Sequence, residues 1–199
     1  MILTILNIAA LIILAHAYVP QLKTTFKTRA TEGVSIFFWL LISLSTSYSL
    51  FNLLATGNAE WYTYLAQFIN AGVALLLFVW ITGLRVRWEL TLFITLLYIF
   101  LNVYVYQSLP LVVTQTVATI AVILAYIDQI AHFIRTKRAD GTNPFLYYYF
   151  ALGLSVLVSI MFMTDVSMHV IVTELVNITL LLVCGIMSQI LGKNNKNKI

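Results

Sequence analysis

The sequence predicts an all-α membrane protein of seven transmembrane helices, and three observations carry that expectation. The 199 residues are 61% hydrophobic and 9% charged, with a mean hydropathy of +0.96. A soluble domain of this size cannot bury so much apolar surface, so lipid is the solvent for most of the chain. The apolar residues fall into seven runs, each near the ~20 residues a helix needs to cross a bilayer core. Finally, Lys and Arg occupy only every second connection between those runs.

The runs are 2–19, 34–55, 61–83, 90–106, 110–131, 145–163 and 168–191. The first contains Ala15-His16-Ala17, which imitates a signal-peptidase site. No basic residue precedes it, so a retained helix is expected. The second is crowded with Ser43, Ser45, Thr46, Ser47 and Ser49, small residues that let helices approach closely. The third opens at Trp61 and carries Gln67 and Asn70. No charge occurs from Leu90 to Ile127, a stretch too long for one span. Gln107-Ser108-Leu109-Pro110 supplies a polar break and a helix-starting proline, which divides it into the fourth and fifth runs. The sixth opens on Tyr147, Tyr148 and Tyr149, which read as an interfacial belt, and the seventh carries Glu174 and Asn177. Trp39, Trp61, Trp80 and Trp88 read as interface anchors or aromatic packing.

Charge sets the orientation. Lys23, Lys27 and Arg29 follow run one, Arg85 and Arg87 follow run three, and Arg135, Lys137 and Arg138 follow run five. Lys193, Lys196 and Lys198 form the tail, whereas the alternate connections hold Glu60, Gln107 and Asp165 without Lys or Arg. The positive-inside rule then places the N-terminus outside and the C-terminus in the cytoplasm.

A segment also occurs twice. Ala17–Gly33 reads AYVPQLKTTFKTRATEG, and Ala125–Gly141, 108 positions later, reads AYIDQIAHFIRTKRADG. The expected organisation is a first three-helix repeat over 1–83, a connector helix over 84–109, a second repeat over 110–192 and a basic cytoplasmic tail over 193–199. One inserted span lets both repeats run parallel. Such repeats point to a transporter with its solute site near mid-membrane. A second correspondence aligns Gln67-Phe68-Ile69-Asn70 with Glu174-Leu175-Val176-Asn177 at a spacing of 107. In each pair the polar residues are three apart and share a helix face. An unpaired amide in lipid is costly, so Asn70 and Asn177 should face inward.

Several chemistries are excluded as expectations. The formal charge of +4 lies in connections and tail, a topology signal and not a nucleic-acid patch. Cys184 is the only cysteine, which rules out an intrachain disulfide and a cysteine zinc cluster. No G-x-x-x-x-G-K-[ST], H-E-x-x-H or G-x-S-x-G pattern occurs, so neither ATP-driven transport nor an enzyme is expected, and no metal or cofactor. Run seven has no lysine within the membrane for a retinal Schiff base.

Tyr18-Val19-Pro20-Gln21, a basic stretch and then Thr31-Glu32-Gly33-Val34-Ser35 resemble the PQ-loop superfamily, and the 3+1+3 arrangement is similar to the SWEET branch over essentially the whole chain. That group includes sugar facilitators, cystinosin-type amino-acid exporters and the KDEL receptor. In the second copy Asp128 stands where proline would be, and Gly141-Thr142-Asn143 replaces the Gly-x-Ser ending. The resemblance implies a transporter of a small polar solute, sugar or amino-acid-like, working by alternating access, facilitated or proton-coupled. A non-transporting receptor of the KDEL-receptor kind is the alternative. It further implies solute contact by Asn70 and Asn177, with Gln67 and Glu174 beside them, and a hinge at Pro20. Gln21 and Gln129 are assigned to gating. Asp128, Glu174 and His16 are the candidate proton-coupling groups. The partners implied are the solute, the lipid bilayer and protons, with the chain a monomer or homo-oligomer. Short connections and a short tail suit a bacterial cell membrane.

Overall fold

The structure, a computed structural model, describes residues 2–57, 59–164 and 166–196, with backbone alone for 194–196. Asp165, Lys198 and the Lys196 side chain, which contribute to the charge pattern, lie outside the described residues. The described chain is helical: α1 Ile2–Thr28, α2 Ile36–Thr56, α3 Trp61–Arg85, α4 Trp88–Ser108, α5 Leu111–Thr136, α6 Pro144–Phe162 and α7 Met168–Lys196. Seven helices among the described residues are long and apolar enough to span a membrane.

The division between α4 and α5 falls where the polar break predicts it. The amides of Val113 and Thr114 bond the Pro110 carbonyl at 2.9 and 3.1 Å, so α5 starts directly after the proline. Ser35 caps α2 by accepting from the Phe38 amide, and Gly57 closes it in the left-handed conformation at φ 68°. Asn143 caps α6, with Pro144 in the first turn.

Helix α1 is longer than its hydropathy suggests. The expected end at residue 19 gives way to nine further residues, with Pro20 inside the helix. Proline removes one backbone bond but leaves the later ones intact, so the polar turns carrying Lys23 and Lys27 remain helical. The real stop is Arg29, which adopts φ 51° while its amide still reaches the Thr25 carbonyl. Helix α5 ends in the same way 108 residues later, at Lys137 with φ 55° and its amide on the Phe133 carbonyl. Both helices therefore overrun the apolar core and carry basic side chains on their last turns.

Contacts group the chain into two compact units: Met1–Val34 with Gln129–Ile199, and Ser35–Asp128. In the first, α6 packs on both α1 and α7. Gly153 admits Leu14 of α1, and Gly185 admits the Tyr148 ring. Tyr18 meets Phe150 edge-on at 4.9 Å. Tyr147 belongs to this core at 1% exposure, not to an interfacial belt. In the second unit, α2 packs on α3. Buried Asn52 accepts from Thr114 at 2.7 Å, which ties α2 to α5 and makes that asparagine a bundle contact. Trp39 is buried, whereas Trp61 and Trp88 are exposed. Helix α4 buries only Thr91 and Thr95; its exposed Phe93, Leu96 and Phe100 are the surface expected against lipid chains. The α1–α6 packing crosses between the two repeated segments, whereas α2 on α3 and α6 on α7 stay within one.

Candidate functional site

The residues of the two repeated segments meet through their glutamines. Gln21, buried on α1, donates from Nε2 to the Gly141 carbonyl at 2.7 Å and to Thr25 Oγ1 at 2.8 Å. Its Oε1 accepts from the Asn143 amide at 2.9 Å. Gln129, fully buried on α5, donates from Nε2 to the Gly33 carbonyl at 2.9 Å. Each copy's glutamine thus holds the glycine of the other copy. The close approach explains why glycine ends both segments. A Cβ on Gly33 would collide with the Ala139 backbone, and one on Gly141, at φ 86°, with the Ala30 carbonyl.

Asn143 completes this clasp, a role the sequence did not assign to it. Its Nδ2 reaches the Pro20 carbonyl at 3.3 Å and Thr24 Oγ1 at 2.9 Å, so the loop before α6 is fastened to the proline turn of α1. The signal was present: Asn143 lies 108 positions after Ser35, and both cap a helix. Ser35 makes the corresponding reach, its hydroxyl donating to the carboxylate of Asp128 in the proline-equivalent position. Nearby, a His132 ring nitrogen bonds the Glu32 carbonyl at 2.8 Å. Arg138 pairs with both Glu32 and Asp140. Chiefly through the hydrogen bond it donates to the Asp140 carboxylate, the Arg138 guanidinium is held above its ordinary range. It stays charged at any physiological pH, and these exposed pairs are screened by salt.

A second polar group lies within α7. Asn177 is buried, and its Nδ2 bonds Glu174 Oε2 at 3.2 Å, one turn away. Asn177 Oδ1 is buried with no hydrogen-bond partner among the described residues. Gln67 and Asn70 lie one turn apart on α3, both half-buried. His16 is exposed on α1, with its ring edge-on to Tyr149 at 5.1 Å. The structure therefore gathers Pro20, Gln21 and Gln129 around the two loop glycines and pairs Glu174 with Asn177. Asp128 is joined to Ser35, and Gln67 and Asn70 belong to the Ser35–Asp128 unit. No group of three or more His, Cys, Asp or Glu able to hold a metal ion occurs among the described residues.

A family model for the PQ-loop repeat matches residues 2–62, which span α1 with its proline–glutamine turn, the basic stretch, all of α2 and the first residues of α3. The chain carries a PQ-loop repeat. With its seven membrane-type helices it is consistent with a PQ-loop superfamily membrane protein, a group of transporters and receptors. No curated protein and no solved structure matches the chain. The family match covers the first motif; in the second segment, Ala125–Gly141, Gln129 makes the glutamine–glycine bond reciprocal to that of Gln21.

Proposed function

We propose that this PQ-loop protein is a transmembrane transporter of a small polar solute, sugar or amino-acid-like, working by alternating access. The observation that carries the proposal is the polar pair on α7. Glu174 and Asn177 sit in a largely apolar helix, and the Asn177 carbonyl oxygen is buried without a hydrogen-bond partner among the described residues. An unpaired amide oxygen in such surroundings costs roughly 1–3 kcal/mol, a cost a solute hydroxyl or ammonium group can offset by donating to it. The sequence correspondence adds Asn70 and Gln67 as solute contacts. Pro20 supplies the place to bend, because its missing amide leaves one helix bond unmade. Gln21 and Asn143 fasten that turn to the loop before α6, Gln129 fastens α5 to the loop after α1, and the three act as the gate that must loosen or shift when α1 moves.

Glu174 and Asp128 are the proton-coupling candidates, with His16 behind them, since ionisable groups within membrane helices commonly mark ion paths. The test is uptake into proteoliposomes from a panel of sugars and amino acids, with and without an imposed pH gradient, comparing wild type with Asn177→Ala. Saturable uptake that falls at least about tenfold in the variant, equal to the loss of one hydrogen bond to solute, supports the assignment. Acceleration by the gradient would add coupling. Specific binding without flux would instead favour a receptor.

A further inference from the structure

The outer face of α1 changes character along its length. Ile5, Ile12, His16, Lys23 and Lys27 recur at spacings of four or seven and therefore share one stripe. Ile5 and Ile12 are 58% and 62% exposed. Toward the basic end the stripe becomes a groove of about 460 Å3, whose lining includes His16, Val19, Pro20, Lys23, Lys27 and Asn143. No acidic residue lines it, and neither lysine has an acidic partner among the described residues. Its basic end coincides with the turns by which α1 overruns its apolar core.

We propose that this groove binds an anionic phospholipid. The phosphate sits between the Lys23 and Lys27 ammonium groups, and an acyl chain runs past Val19 along Ile12 and Ile5. The lysine stems can lie along the apolar floor while their ammonium groups reach the phosphate plane. The distance along the helix from Lys23 to Ile12 is about 16 Å, which suits a headgroup at one end and hydrocarbon at the other. A free phosphate ion would use the lysines but gain nothing from the exposed isoleucine track, and this continuity favours a lipid.

The experiment is native mass spectrometry of the detergent-solubilised full chain, titrated with phosphatidylglycerol against phosphatidylcholine of the same acyl chains. Wild type should retain phosphatidylglycerol in preference. Lys23→Gln with Lys27→Gln should reduce that preference by about thirtyfold, since each basic group near an anionic surface is worth about a factor of five. Val19→Trp keeps both charges but fills the groove floor, and it should reduce retention as well. Lys193→Gln, outside the groove, should leave it unchanged. Thermal unfolding in phosphatidylcholine alone shows whether each variant is folded. Unchanged preference in the double lysine variant of a folded protein would overturn the proposal. So would an equal loss in Lys193→Gln, which would mean general surface attraction. Displacement of phosphatidylglycerol by inorganic phosphate would likewise overturn it and leave an ion site only.

Discussion

At the scale of single residues, Asn177 and Gln129 offer opposite tests. Both are buried amides, but Gln129 gives its Nε2 hydrogen bond to the Gly33 carbonyl, whereas the Asn177 carbonyl oxygen has no hydrogen-bond partner among the described residues. Gln129→Ala should therefore lower stability by about 1–3 kcal/mol, the cost of leaving a buried carbonyl unmet. Thermal unfolding in detergent measures it. Asn177→Leu should change stability by less than about 1 kcal/mol, because the desolvated oxygen goes with the side chain. Solute uptake should nevertheless fall sharply. A large stability loss in Asn177→Leu would make this asparagine a bundle contact and remove it from the solute site. Neither outcome was legible in the sequence. The repeat shows that Gln21 and Gln129 are equivalent, but equivalence does not say what each one bonds. Asn143 counted in the sequence only as a departure from the serine of the first copy, although serine and asparagine cap helices almost equally well.

The loops show how elements are joined. Arg29 and Lys137, 108 apart, both take positive φ, so each helix stops on the same left-handed turn. At the next turn the glycine requirement is steric. Gly141 and Gly57 both have positive φ, but only Gly141 faces a backbone, the Ala30 carbonyl. Gly57→Ala should cost about 1–2 kcal/mol, the usual penalty for a side chain in this region. Gly141→Ala should cost clearly more, because the loop must also move off the Ala30 backbone. The difference in melting temperature between the two variants checks this, and equal shifts would argue against the clasp as a rigid joint. Hydropathy located all seven helices because lipid rewards continuous apolar stretches. It failed at the C-terminal ends of α1 and α5, where helical bonding continues after the apolar composition stops.

For the whole molecule, the charge pattern predicts that the α1–α2 loop and the C-terminal end of α7 share the cytoplasmic side. Cys184 is the only cysteine and is buried, so a Cys184→Ser background accepts a reporter cysteine at Lys193. An impermeant thiol reagent added to intact cells should leave Lys193→Cys unlabelled until the membrane is opened; immediate labelling would reverse the orientation. The repeat was plain in the sequence, but the grouping of helices was not. Packing sets Ser35–Asp128 against itself and returns Gln129 onward to α1, an arrangement that depends on long-range contacts.

The central claim is transport, and solute counterflow tests it most directly. Proteoliposomes would be preloaded with the solute identified by the uptake screen and diluted into a trace of the same solute in labelled form. The account predicts a transient accumulation of label in wild type, lost in Asn177→Leu, because one alternating site must carry solute both ways. Saturable binding of label with no accumulation, in protein shown to be folded, would contradict it and leave a ligand-binding receptor.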